Sequence, residues 1–311
     1  MVENFELETK IKLLCKEKNA IILAHYYQTP DIQEIAHFIG DSLQLSQKAA
    51  ETEADIIVFA GVYFMAETAK ILSPKKKVII PDKNAGCSLA DSLPADEFAA
   101  FLKQYPNHTV ITYVNASAEI KAMSDIICTS SNAVKIVNSV PKDKPIVFAP
   151  DRNLGNYINS LTGRNMVIWD GACHVHEEFS LERIIALKNK HPKAKLIAHP
   201  ECKKPILIIS DFIGSTAALL NYVQHDDANE YIVATESGIL HQMIKACPNK
   251  NFIAAPPTDA NCGCNDCKYM KLNTLQKIYR SLKNEEYNVQ LSPEIIEKAK
   301  KPILKMLELS K

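Results

Sequence analysis

The sequence predicts an α/β protein made of three homologous layer sandwiches with parallel sheets, set about a pseudo-threefold axis with a central active-site cleft. Three observations predict it. Short apolar strand-like runs alternate with helical patterns, the alternation recurs three times along the chain, and each recurrence ends its first strand on polar residues. Alternation of this kind argues for parallel sheets covered by helices on both faces. With 311 residues and 47% hydrophobic content the chain has ample material for several cores.

The elements of the repeat follow in order. The first halves are "IILAHYYQTPDIQEIAHFIGDSLQLSQKA" from Ile21, "VITYVNASAEIKAMSDIICTSSNAVKIVNSV" from Val110 and "LIAHPECKKPILIISDFIGSTAALLNYV" from Leu196. Each reads as an apolar strand ending in a polar residue (His25, Asn115, His199), a helical segment, a short strand, and a Ser/Thr cluster opening a second helix. The second halves, "ADIIVFAGVYFMAETAKIL", "KPIVFAPDRNLGNYINSL" and "NEYIVATESGILHQMIKA", read as a buried strand, a polar loop and a helix. A last short strand follows ("KVIIPD", "NMVIWD", "NFIAAPP"), and after it comes cysteine. Each repeat is therefore a Rossmann-like three-layer α/β/α domain, with boundaries at 1–97, 98–180 and 181–311, the last including a C-terminal helix. Ligands of such folds bind beyond the carboxyl ends of the strands, so three such ends facing one axis would share one cleft.

Charge narrows the functional classes. Thirty-six basic and thirty-six acidic side chains cancel, so no global attraction to nucleic acid or an anionic membrane is expected. The opening "MVENFELETKIKLLCKEKNA" reads as an amphipathic helix rather than a secretory leader, and no later stretch is apolar for long enough to span a bilayer. The expectation is a cytoplasmic protein that captures its charged ligands locally.

In such a compartment the nine cysteines argue for burial or metal binding over disulfides. Cys87, Cys173 and one cysteine of "NCGCNDC" occupy equivalent positions, a few residues past the last strand of each repeat. Three thiolates on one axis suit a 4Fe-4S cube held by three irons, its fourth iron left open as a Lewis acid. In isolation "CGCNDC", with Cys173, His174 and His176 of "CHVH", also reads as a zinc site; one ligand per repeat and no obvious fourth favour iron-sulfur. Cys15, Cys128, Cys202 and Cys247 are expected to be buried and without chemical roles.

The hydroxyl clusters at Ser42, Ser130, Ser215 and Thr216 sit where a short strand becomes a helix. Such positions cap helices, and helix N-termini bind carboxylate or phosphate. The first-strand ends carry His25 and Tyr27, Tyr113 and Asn115, and His199 and Glu201, a set suited to proton transfer near neutral pH. Asp151, Arg152 and Glu236 face the same end of their sheets and are adequately read as helix starts. The remaining histidines read as surface or capping groups.

The motifs "ILAHYYQ", "GDSLQLS", "VYFMAE", "PDKNAGCSLAD", "YVNASAE", "CTSSNA", "PDRNLG", "HPEC", "GST", "ATESG" and "CKYMKLNTL", in unbroken order over nearly the whole chain, closely resemble the quinolinate synthase family. The resemblance implies three homologous layer sandwiches around a central cavity and an enzyme of NAD biosynthesis. The implied reaction condenses iminoaspartate with dihydroxyacetone phosphate to quinolinate, releasing phosphate and water; an aspartate oxidase is a possible source of the imine. It implies one 4Fe-4S cluster per chain on Cys87, Cys173 and Cys267, with Cys262 and Cys264 left ambiguous. It also implies substrate contacts at His25, Ser42, Tyr113, Val114, Asn115, Ser130, His199, Pro200, Glu201 and Thr216. Tyr27 and Glu201 are then the main proton carriers, joined by Tyr113, with His199 orienting substrate or its phosphate. Two alternatives are an iron-sulfur hydro-lyase of another small hydroxy acid and a zinc-stabilised binding protein without catalysis.

Overall fold

The computed structural model describes residues 2–259 and 265–311. Strands β1 (Ala20–His25), β2 (Phe38–Gly40), β3 (Ile56–Ala60) and β4 (Lys77–Ile79) form a parallel sheet in the order β2-β1-β3-β4. The second sheet, β5 (Thr109–Tyr113), β6 (Ile126–Cys128), β7 (Ile146–Ala149) and β8 (Val167–Ile168), has the order β6-β5-β7-β8. The third, β9 (Lys195–Ala198), β10 (Phe212–Ile213), β11 (Glu230–Ala234) and β12 (Asn251–Ala254), has the order β10-β9-β11-β12. One topology is thus repeated three times, as the self-similarity of the sequence predicts.

The strands read as unbroken apolar runs because helices bury both faces of each sheet. One face of the first sheet packs Ile22, Ala24 and Val58 against Ile11 and Cys15 of the helix Val2–Glu17. Phe98 of the helix Ala95–Leu102 covers a face of the second sheet, and Ile184 of Leu181–Lys190 covers a face of the third. In each domain the first strand lies between strands reached by connections in opposite directions, which opens a crevice at its carboxyl end. Register sets that end: His25 lies beside Gly40, Tyr113 beside Cys128 and Ala198 beside Ile213.

The tail after the third cysteine leaves the third domain. Its helix Leu275–Asn284 inserts Leu275, Ile278 and Leu282 beside Ile11 under the first sheet. Residues 287–289 then pair antiparallel with β4, Val289 N–H donating to Val78 O at 2.8 Å, which covers a sheet edge. The long helix Pro293–Leu309 buries Ala299, Ile303 and Met306 in a core shared by the first two domains. The physical reason is saturation: the third sheet already has both faces covered by its own helices.

Two of the expected helix caps differ in detail. Asp41, not Ser42, caps the helix Ser42–Glu51; its Oδ1 accepts from Leu43 and Gln44 N–H at 3.1 Å each, and Gln44 Oε1 returns a bond to Asp41 N–H. Ser130 precedes Asn132, which occupies the cap position of Ala133–Ser139. Ser215 does cap Thr216–His225, accepting from Ala218 N–H at 3.2 Å. Asp caps at least as well as Ser, so the Ser42 hydroxyl is released to face the cavity, whereas the Asn132 side chain accepts from Thr129 N–H at 2.7 Å and makes no capping bond.

Cys15, Cys128 and Cys202 are buried, and Cys247 is partly buried. Cys262 and Cys264 lie outside the described residues. Among the described residues no helix is long and apolar enough to cross a membrane.

Ile303 is fully buried where the C-terminal helix seals two domains together. Ile303→Ala is expected to lower unfolding stability by about 2–5 kcal/mol, read from the midpoint shift in guanidinium chloride at unchanged slope.

Candidate active site

The carboxyl ends of β1, β5 and β9 meet at a cavity of about 620 Å³, its open mouth included, lined by all three domains. His25, Tyr27, Ser42, Tyr113, Asn115 and Ser130 reach its wall, as do His199, Glu201, Thr216 and the cysteines Cys87, Cys173 and Cys267. Twelve side chains singled out from scattered motifs are thereby brought to one place. Val114 and Pro200 are not on the wall: Val114 packs in the core shared by the first two domains, and Pro200 is buried beside His199.

The acidic centre is Glu201. Its Oε1 accepts from Tyr113 Oη at 2.5 Å, and its Oε2 lies 3.0 Å from His176 Nδ1. The far nitrogen of His176 is 3.1 Å from Thr235 Oγ1, which lies 2.7 Å from Tyr27 Oη; Tyr27 Oη is 2.9 Å from Thr216 Oγ1. A continuous chain of polar contacts therefore runs from Tyr113 of the second domain to Tyr27 of the first. Burial opposes ionisation of Glu201, yet the His176 imidazole beside it and the hydrogen bond from Tyr113 outweigh it and hold the carboxyl below its ordinary range. Burial and the Glu201 charge raise Tyr27 and Tyr113 well above the ordinary phenol value, so both remain proton donors.

His25 and His199 sit in the same turn of their repeats. His25 Nδ1 accepts from Tyr27 N–H at 3.2 Å, and His199 Nδ1 accepts from Glu201 N–H at 3.3 Å. A ring nitrogen that accepts there leaves the proton on Nε2, so the geometry assigns both rings as neutral Nε2–H donors. Burial pushes both imidazoles down to about 3, consistent with that state near neutrality. His199 Nε2 points to Ser130 Oγ at 3.1 Å.

Ser42 and Thr216 are the first residues of their helices, where the helix dipole is positive, although the Asp41 and Ser215 side chains already take part of the first-turn N–H groups. Asn115 Oδ1 and Thr129 Oγ1, also on the wall, are buried without a protein partner. Unpaired buried polar atoms are costly, and a polar ligand or water would satisfy them.

The three cysteines repeat a local device. Cys87 and Cys173 occupy the position just before the short helices Ser88–Asp91 and His174–Glu177, and Cys267 precedes a single turn at Met270–Leu272. Backbone N–H groups point at the sulfurs: from Ala90 and Leu89 to Cys87, from His176 to Cys173, and from Met270 and Tyr269 to Cys267. Without a cation the thiols stay protonated: burial pushes Cys87 up to about 12, and Cys173 and Cys267 rise for the same reason. Three sulfurs on one cavity wall, each with one or two amide N–H groups beside it, fit an iron-sulfur cluster. No fourth cysteine among the described residues reaches the cavity wall. The zinc reading of "CHVH" fits less well, because His174 Nδ1 is bonded to Ser88 Oγ at 2.7 Å and His176 is held between Thr235 and Glu201. The ligand atoms of Cys173, His176 and Glu201 do lie within 4.8 Å of one another.

Several wall residues escape a reading of single motifs. Asp41 faces the cavity and accepts from Ser131 Oγ of the second domain at 2.6 Å. Asp151 is a helix cap as expected, accepting from Leu154 N–H at 2.7 Å, but Glu236 is not. Glu236 accepts from Gly238 N–H at 2.7 Å and Cys267 N–H at 3.0 Å, and pairs with Lys271 at 2.8 Å. Lys271 also donates to Tyr27 O at 2.7 Å, so this buried pair ties the third cysteine loop to the Tyr27 loop. The signal was the acid in "ATESG"; its partner, four residues past Cys267, had no visible link to it. Thr235 and His176 acquire their place only through the contact chain.

The family model described as "NadA: Quinolinate synthetase A protein" matches residues 9–308. Curated proteins named quinolinate synthase are similar over nearly the whole chain. One from Nostoc sp. (strain PCC 7120 / SAG 25.82 / UTEX 2576) is 61% identical over 98% of this chain and 94% of its own. One from Thermosynechococcus vestitus is 59% identical over 98% and 96%, and one from Gloeothece citriformis 60% over 99% and 95%.

Tyr27 depends on a close approach. A methyl group added at Gly238 would meet Tyr27 backbone atoms at 2.7 and 2.8 Å and Gln28 O at 2.9 Å. Gly238→Ala is expected to cost about 1–3 kcal/mol of stability. A crystal structure of the variant should show Tyr27 Oη withdrawn from Thr216 and Thr235; an unmoved Tyr27 would show that the loop tolerates the methyl.

Proposed function

The chain belongs to the quinolinate synthetase A family and acts as a quinolinate-forming enzyme of NAD biosynthesis, and we propose that it condenses iminoaspartate with dihydroxyacetone phosphate, releasing phosphate and water. The observation that carries the residue assignments is the convergence of three equivalent cysteines, two tyrosines, the buried Glu201 with Asp41 and Glu236, and hydroxyl-bearing helix starts on a single cavity. Cys87, Cys173 and Cys267 would hold one 4Fe-4S cluster per chain. When bound, such a cluster supplies a Lewis-acidic iron with an open position, suited to a departing hydroxyl.

The chain's own groups account for binding and proton traffic. Ser42, Ser130, Asn115 and Thr216 receive carboxylate and phosphate oxygens, supported by helix N-termini. His25 and His199, as neutral Nε2–H donors, orient those oxygens without adding charge. Glu201 accepts a proton as a carboxylate, while Tyr27 and Tyr113 donate at Oη. Thr235 and His176 connect Glu201 to Tyr27, so a proton taken at one end of the cavity can be returned at the other. Walls from three domains exclude water, which protects an imine from hydrolysis. The imine is supplied by an aspartate-oxidising enzyme, and the reaction runs in the cytoplasm without nucleic acid or membrane.

Anaerobically purified protein given both substrates is expected to form quinolinate and to contain about four irons with matching sulfide; a zinc-loaded chain, or iron-loaded chain with no quinolinate, would overturn the reading. Glu201→Gln keeps the shape but removes the proton acceptor, and kcat should fall about 10²–10⁴-fold with the cluster's visible spectrum retained. Cys87→Ser should lose iron and activity together while the chain stays folded by circular dichroism. An iron-loaded, active Cys87→Ser protein would remove Cys87 from the ligand set.

A further inference from the structure

Residues one or two positions after the cysteines touch one another outside the cavity. Ser88 Oγ and His174 Nδ1 are hydrogen-bonded at 2.7 Å, joining the Cys87 loop to the Cys173 loop. The His174 ring meets Tyr269 edge-on at 86° with centroids 5.9 Å apart, joining the Cys173 loop to the Cys267 loop. Two contacts thus link the three loops in a row, Cys87 loop to Cys173 loop to Cys267 loop, and all three contributing domains are included. None of Ser88, His174 and Tyr269 is on the cavity wall, whereas the neighbouring cysteines are. All three are half-buried, as are the cysteines they follow.

We propose that Ser88, His174 and Tyr269 are positioning residues that clasp the three cysteine loops on their outer side and set how long a cluster stays bound. The inference rests on the three-cysteine assignment made above. Its physical basis is that releasing a cluster requires the sulfurs to separate. The loops sit on different domains, and these contacts join them on one side while the Glu236 bonds to Cys267 N–H and Lys271 hold the third loop on another. Opening the Ser88–His174 bond uncouples the Cys87 loop from the clasp. Tyr269 also carries Lys268 Nζ 5.2 Å from its ring centroid, adding a cation–π contact that steadies the ring.

The test uses the full chain with its cluster assembled anaerobically, in wild type and in Ser88→Ala and His174→Phe. Each substitution removes the same hydrogen bond, and phenylalanine keeps a ring against Tyr269. The readout is the rate at which the visible absorption decays under a chelator without oxygen, then in air. Each variant is expected to lose its cluster about fivefold faster than wild type, the factor one net hydrogen bond is worth. The double variant should be no faster than either single one, and Ser88→Thr, which keeps the hydroxyl, should restore the wild-type rate. Decay at the wild-type rate in both single variants would overturn the clasp. A wild-type chain that holds no iron and sulfide would instead overturn the cluster assignment itself. Thermal unfolding of the cluster-free chains, expected to be alike, separates a local effect on the loops from general destabilisation.

Discussion

A carboxylate shut away from water must be given hydrogen-bond donors, and Glu201 draws its donors from beyond its own turn. Tyr113 comes from the second domain, and His176 stands on the helix that follows the second cysteine. Asn153, also of the second domain, donates to the Glu201 backbone carbonyl at 3.0 Å. Satisfying one charge therefore fixes how the second and third domains meet. Losing a partner would leave a buried charge uncompensated, which costs far more than the bond itself contributes. Around this point the rest of the cavity is arranged: Cys173 is within 4.8 Å, and the contact chain to Tyr27 starts from His176.

The remaining electrostatics follow from the same dryness. Imidazoles are kept neutral, phenols are kept protonated, and thiols wait for a cation before they ionise. Glu201 is an exception because donors converge on it, as they do on Asp41 and Glu236 elsewhere on the wall. The helix that begins at Thr216 has no acidic cap, so its positive end is open to an anionic substrate. Glu236 does not disturb this balance, since Lys271 neutralises it where it bridges the Cys267 and Tyr27 loops.

Repetition of the fold and repetition of the chemistry part company here. The cysteines follow the threefold order, each coming after the last strand of its sheet, eight residues on for Cys87, five for Cys173 and thirteen for Cys267. The acid-base groups do not. The first and third domains end their first strands in histidine, each with its Nδ1 capping the second residue on, while the second offers Tyr113 and Asn115 in that place. A cluster with a threefold axis is indifferent to this asymmetry; a substrate with two different ends is not. The tail also breaks the pattern. Its two helices cover the first sheet and seal the first two domains, while the third is joined through Tyr26, packed in one core with Ile197 and Leu219, and through polar bridges such as Gln33 Nε2 to Gly238 O at 2.9 Å.

Periodicity of apolar runs, read along the chain, was enough to determine three parallel sandwiches, because a strand buried on both faces must be apolar at every position. It was also enough to single out Cys87, Cys173 and the strand-end groups, since equivalent places in a repeat carry equivalent residues. Asp41 as the cap in place of Ser42, the Glu236–Lys271 pair, and the His176–Thr235 link were not legible. Each depends on which domain lies opposite, and a repeat pattern is silent about how its copies face one another. The same holds for the docking of Leu275–Asn284 and Pro293–Leu309: an amphipathic helix announces that it will bury one face but not against which sheet. Local sequence determined the elements and the candidate groups. Only the tertiary structure decided their partners, because a buried polar or apolar surface is satisfied by whatever the assembled fold brings against it.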